Sequence, residues 1–224
     1  MGIIPTIDLS HLAVTRGLVG YWADGTHVVH PQVTPTVDTV RDLSQKGRDL
    51  ACWNGAYINT EGIQLDGTKA FLWKASFTMT SPAQSQSLWF KRTIAGANHY
   101  LLDQGANTHW LGIINNVISL GVTAAGTNYY VGNISVSELD RWYHVVGTVD
   151  ETNFASIYVD GVLDSTKQMN DESSTFRLAI GRFGGRTDYN FPGVISDVRL
   201  YNRGLYAAEV KAIYNNTKWR HQNA

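Results

Sequence analysis

Between residues 140 and 201 the chain repeats one pattern: short apolar runs with period-two alternation, each closed by turn residues. That pattern restricts the fold to one built from sheets. Trp142–Val149 is apolar or small on both alternating faces, as a central strand requires. Ile157 and Val159 share one face of the next strand, and Asp160-Gly161 follows, a pair that tolerates the positive dihedrals of a two-residue hairpin turn. Val194, Ser196, Val198 and Leu200 alternate with Ile195, Asp197, Arg199 and Tyr201, which predicts a strand with one apolar face and one wet face. Upstream, strand candidates recur at 50–53, 56–58, 62–65, 70–73, 77–80, 87–91, 100–103, 110–114, 117–122 and 129–132, and Asn115-Asn116 marks a second hairpin turn. A single helix is predicted near the end, where Tyr206, Val210, Ile213 and Tyr214 line one face. Residues 27–39, with Pro31 and Pro35, read as an extended loop.

Composition narrows the partners. A chain of 224 residues fits one sandwich of about 200–250 residues, and its scattered prolines mark no internal linker. A net charge of −1 lacks the basic footprint of a phosphate-neutralising surface, so nucleic acid is not an expected partner. The N-terminus has neither a basic nor a continuous apolar segment, and no stretch reaches the roughly 20 apolar residues of a membrane span. The expectation is a chain made in the cytoplasm without a signal peptide and with no membrane insertion. The single cysteine, Cys52, sits beside Trp53 in a strand pattern and reads as a buried thiol.

In order and spacing, several segments resemble the LamG-like jelly-roll family (laminin G type) of the concanavalin A-like lectin/glucanase superfamily. They are Gly17-Leu18-Val19-Gly20-Tyr21-Trp22, Asp42-Leu43-Ser44, Ile63-Gln64-Leu65-Asp66-Gly67, Trp142-Tyr143-His144-Val145-Val146, Ile157-Tyr158-Val159-Asp160-Gly161, Leu178-Ala179-Ile180-Gly181-Arg182 and the run from Gly193 through Arg203. The resemblance implies an all-β fold, a two-sheet antiparallel β-sandwich (jelly roll) with one short C-terminal helix. It divides the chain into an N-terminal arm (1–16), the sandwich domain (17–215) and a C-terminal tail (216–224). His144 falls where the family often has histidine, which implies a structural role. Tyr206 stands where the family usually has Ser or Thr, so the expected N-cap hydroxyl is missing.

Relatives that hydrolyse glycans use two carboxylates two residues apart on one strand. With five glutamates in the chain, the pair at that spacing within one segment is Glu138 and Asp140, in a turn pattern, and no catalytic residue is assigned. The seven histidines are scattered, and only His99 and His109 could converge, too few for a zinc site. Calcium is a possible ligand by resemblance, with Asp24, Asp38 and Asp42 as the acids of the early loops. Aromatic side chains stack on the apolar faces of sugars, which makes Trp110, Tyr129 and Tyr130 candidate platforms with His109, Asn107 and Asn128 as polar neighbours. Trp22, Trp89 and Trp142 read as core. In the termini, Ile4, Ile7, Leu9, Trp219 and Arg220 are candidate anchors to a protein partner.

The resulting expectation is a non-catalytic structural or decorating component of a larger assembly, such as a phage virion, that can contact host glycans. The alternative is a lectin-like carbohydrate-binding or adhesion module of a secreted or cell-surface protein.

Overall fold

The computed structural model describes residues 14–23, 39–78, 83–96, 98–105, 109–124, 127–169, 175–184 and 188–221. The fold is the expected two-sheet antiparallel sandwich. One sheet, A, runs β14 (Val162–Gln168), β13 (Phe154–Val159), β12 (Trp142–Val149), β7 (Gln84–Arg92), β16 (Pro192–Tyr201), β5 (Ile63–Asp66) and β4 (Tyr57–Ile58), with β1 (Leu18–Trp22) also paired to β16. The other, B, runs β11 (Thr127–Val131), β10 (Val117–Ala124), β9 (His109–Ile114), β8 (His99–Asp103), β15 (Thr175–Ile180), β6 (Phe71–Thr78), β3 (Leu50–Trp53) and β2 (Thr39–Val40). Leu72, Leu101, Leu111, Ile113, Leu120 and Leu178 from sheet B meet Leu88, Phe90, Val145, Ile157, Ile195 and Leu200 from sheet A in one core.

Several pairings carry register shifts, and those in β6 and β16 change the reading of the sequence most. β6 is one strand where the sequence pattern suggested two, because Ala75 and Ser76 bulge opposite Arg177: Phe176 pairs with Phe77 but Leu178 pairs with Lys74. In β16 the register shifts between Ser196 and Arg199, and Asp197 takes a φ of 53°. That bulge changes the phase, so Ile195, Val198 and Leu200 all enter the core while Val194 lies with Trp89 and Trp142 outside it.

The wet face expected for β16 is dry. All ten of its residues are buried, because α1 (Ala207–Thr217) and the 3-10 turn Lys218–Arg220 fold back over sheet A. Val210 and Ile213 pack with Tyr21, Val146, Tyr158 and Tyr201. The Thr217 hydroxyl accepts the Trp89 indole N–H at 2.9 Å, and the His221 ring stacks 4.4 Å from Trp89 and lies 4.6 Å from Trp142. In place of a hydroxyl cap, the helix start is fixed from within the helix by Glu209, which accepts the N–H of the N-cap residue Tyr206 at 3.0 Å and is held by both terminal nitrogens of Arg203. The boundary expected at residue 215 therefore falls within α1. At the other end, Val14 is buried and its carbonyl accepts the Tyr201 hydroxyl at 3.2 Å, so packed structure begins before residue 17. Ile4, Ile7 and Leu9 lie outside the described residues.

Candidate functional site

With sheet A roofed by the C-terminal segment, the outer face of sheet B is the open broad surface. Strand register places one residue from each of seven strands in a lateral row across it: Ala51, Trp73, Ala179, Asp103, Trp110, Gly121 and Tyr130. At about 4.8 Å per strand, the six steps span about 29 Å. Along the row the aromatics Trp73, Trp110 and Tyr130 have Ala51, Ala179 or Gly121 beside them, with Asp103 between Ala179 and Trp110, and the small residues let the rings lie down. Trp110 lies across Gly121, where an added Cβ would fall 1.8 Å from Cε2 of the indole.

A loop beginning at Gly181 (φ 86°) crosses this face and divides its aromatics into two groups. Phe183 goes to one side, 4.7 Å from Tyr100, which in turn lies 5.0 Å from Trp110 and 6.0 Å from Tyr189. Arg182 goes to the other, its guanidinium 4.2 Å from the centre of the Phe71 ring. There Trp53 stacks on Phe71 at 6.3 Å and 13°, Trp73 meets Phe71 edge-on at 6.2 Å, and Arg177 lies 5.8 Å from the Trp73 ring. Trp53, Phe71, Trp73, Arg177, Arg182 and Gly184 line an open cleft of about 280 Å³. Trp53 is 45% exposed and, resting on Phe71, offers a ring face already fixed in orientation.

Asp103 lies behind the cleft, fully buried, and accepts the Gly184 N–H at 2.7 Å. Burial pushes its carboxyl up to about 7, against the opposing pull of the Gly184 and Gly105 amides. No other carboxylate lines the cleft among the described residues, so paired acid and nucleophile chemistry has no second member here. Glu138 and Asp140 are elsewhere, in the turn before β12, where Glu138 pairs with Arg141 at 3.1 Å in solvent.

The sequence candidates divide. Trp110 and Tyr130 do share the outer face of sheet B, but Trp110 is 5% exposed and only Tyr130, at 55%, is open to a ligand. His109 precedes Trp110 on the same strand and so takes the opposite face; it is buried, with Nδ1 2.6 Å from Gln84 Nε2 of sheet A. Asn128 and Tyr129 hold backbone register opposite Thr123 and Val122, their side chains falling outside the described part, as does Asn107. Trp53, Phe71, Trp73, Arg177 and Arg182 were missed; outward aromatics at 53, 71 and 73 with cations at 177 and 182 are the signal that could have found them.

The other candidates do not line the cleft. Trp219 is 64% exposed, with its indole N–H donating to Asn216 O at 2.9 Å, and Arg220 reaches the buried Asp197 at 3.6 Å. His144 is buried against Trp89 with Nε2 3.1 Å from the Ser87 hydroxyl, and burial pushes it down to about 3, which keeps it neutral. Asp42 does not fit a calcium ligand. Its two oxygens already accept the backbone N–H groups of Tyr21, Ser44 and Arg48, which shape the following turn; Asp24 and Asp38 lie outside the described residues. Among the described residues, no group of three or more His, Cys, Asp or Glu side chains could hold a metal, and no helix is long and apolar enough to cross a membrane.

Two stacked antiparallel sheets with an open aromatic face define a jelly-roll sandwich of the lectin type. A laminin-G-type family model, described as the concanavalin A-like lectin/glucanases superfamily, matches residues 55–211, and the chain belongs to that family. No curated protein matches the sequence. Similar solved structures include the binding domain of botulinum neurotoxin serotype D (TM-score 0.72, 12% identity, 91% of this chain and 52% of that one). The serotype D ligand-binding domain in complex with N-acetylneuraminic acid is comparable (0.71, 13%, 92% and 52%), as is the binding domain of Paraclostridial Mosquitocidal Protein 1 (0.69, 16%, 89% and 52%). The chain spans about half the length of these solved chains, and at such identities the likeness is one of fold.

Proposed function

We propose that the protein is a non-catalytic glycan-binding module and that the cleft around Trp53 is its sugar site. The observation that carries this reading is the exposed Trp53 ring, oriented by its stack on Phe71 and flanked by two guanidiniums. An apolar platform beside convergent donors suits a sugar, which presents C–H faces and hydroxyls together. Among the described residues a single carboxylate, Asp103, lies at the cleft, which favours binding over hydrolysis. A solved neighbour of the same fold that carries N-acetylneuraminic acid is consistent with it.

The test is a glycan array followed by calorimetry on hits. Trp53→Ala, a half-exposed position, should leave the fold intact and weaken binding about 30-fold, the effect of removing about 2 kcal/mol at a hot spot. Binding unchanged in Trp53→Ala, or release of reducing sugar by the wild type, would refute the reading.

A second reading, that the module decorates a larger assembly such as a virion, is favoured by Trp219, an exposed indole held in place by its own turn. Trp219→Ala should lower occupancy in the assembly without changing glycan binding; full occupancy would remove this support.

A further inference from the structure

Arg177 and Arg182 are cations at the sugar cleft without anions to match. Both line it together with Trp53, Phe71 and Trp73, and each lies near an aromatic ring. Among the described residues neither is within ion-pair distance of a carboxylate, although Arg203, Arg199, Arg141 and Lys91 all are. Among the described residues, Arg182 donates from Nε to the Phe183 carbonyl at 3.3 Å, a bond that does not occupy its two terminal nitrogens. Burial alone pulls Arg182 below the usual guanidinium range, with no neighbouring negative charge to offset it. A guanidinium presents planar N–H pairs that match the two oxygens of a carboxylate, and stacking on an aromatic face leaves that edge free. A neutral sugar makes no use of two such charges.

The placement is built into the fold. Arg177 is the β15 residue opposite the β6 bulge, where an ordinary ladder would hold it in plain alternation. Arg182 follows Gly181, whose positive φ turns the chain back across the sheet. The two cations therefore arrive from different segments at one cleft of about 280 Å³, room for about one sugar unit at the small end of ligand pockets.

We propose that the cleft selects a glycan unit bearing a carboxylate, such as a uronic or sialic acid, with Arg177 and Arg182 holding the carboxylate while the ring stacks on Trp53. This rests on the glycan-binding reading above. The probes are oligogalacturonate and sialyllactose, each compared with its methyl ester, which keeps the ring and removes the charge, together with sulfated heparin oligosaccharides. An acid form should bind at least tenfold more tightly than its ester. Arg177→Gln and Arg182→Gln should each bring the acid down to the ester's affinity while leaving the ester unchanged, and Trp53→Ala should weaken both. If ester and acid bind alike, or the arginine variants lose both equally, acid selection is overturned while glycan binding stands. If only the sulfated chains bind and the arginine variants lose them, the carboxylate is overturned in favour of sulfate. If none of these probes binds and the array also shows no neutral glycan, both readings fall together. Unchanged thermal midpoints in the variants would show that lost affinity reflects the site and not the fold.

Discussion

Gly121→Ala tests the aromatic row at its tightest point. A methyl group there would lie 1.8 Å from Cε2 and 1.9 Å from Cζ2 of Trp110, against a normal carbon contact of about 3.5–4.0 Å. These are mid-ring atoms, so no flexible end can swing aside. The ring is 5% exposed and is blocked on one side by Tyr100 at 5.0 Å. Forced repacking of this kind costs about 1–3 kcal/mol. For a chain of this size each kcal/mol lowers the thermal midpoint by about 2–4 °C, so the expected fall is about 2–12 °C. Urea denaturation followed by far-UV and near-UV circular dichroism would read both the loss and the altered tryptophan environment. In a Trp110→Ala background the same methyl group loses this clash and should cost less than about 0.5 kcal/mol, leaving a coupling of at least about 0.5 kcal/mol in the double-mutant cycle. Additive costs would refute the placement of the indole over Gly121.

Asp103 has a raised pKa of about 7, so the unfolded chain releases this proton at lower pH than the folded one. The folded state binds more protons between about pH 4 and 7, and stability must fall as pH rises through that window. Asp103→Asn should flatten that fall, and a carboxyl NMR titration with a midpoint near 4 would contradict it. Arg199→Met would leave Asp197, 2% exposed, with Arg220 at 3.6 Å as its remaining ion-pair contact, and should cost about 3–5 kcal/mol in urea denaturation; a loss under about 1 kcal/mol would show that the pair is not sealed from water. His221→Ala removes the ring contacts to Trp89 and Trp142 and should destabilise by about 1–3 kcal/mol, from about 0.5–1.5 per aromatic contact. Ending the chain at Asn216 should cost more than His221→Ala, and a truncated protein with the wild-type midpoint would overturn the account of this segment as part of the sandwich.

The sandwich was legible because alternation and turn chemistry recur in each half of the chain, and Asp160-Gly161 and Asn115-Asn116 take the positive φ values their turns need. What alternation could not show were its interruptions. The β16 bulge at Asp197 reverses which residues face inward, so a strict period-two reading gives Ile195 and Val198 opposite faces. Gln84, Ser85, Gln86 and Ser87 are polar and yet buried. For Gln84, Ser85 and Ser87 that burial is made tolerable by the long-range partners His109, Arg203 and His144, which local sequence does not reveal. The site was half legible for the same reason. Trp110 and Tyr130 were recognisable as aromatics in strands, but whether a ring is open depends on what lies across it, and the cleft joins residues from 53 to 184.

The clasp of the last turn over Trp89 also has a temporal meaning. Trp89 and Thr217 are 128 residues apart, and β7, which carries Trp89, is the central strand on which β12 and β16 assemble. During synthesis from the N-terminus, sheet A is made before its cover. Until residues 217–221 emerge, Trp89, Trp142 and Val194 form a bare apolar patch beside an ion pair still in contact with water. Contacts of such long sequence separation also form slowly. A nascent chain that has not yet made residues 217–221 thus exposes apolar surface that the folded sandwich hides, and the arrival of that segment is the event that covers it.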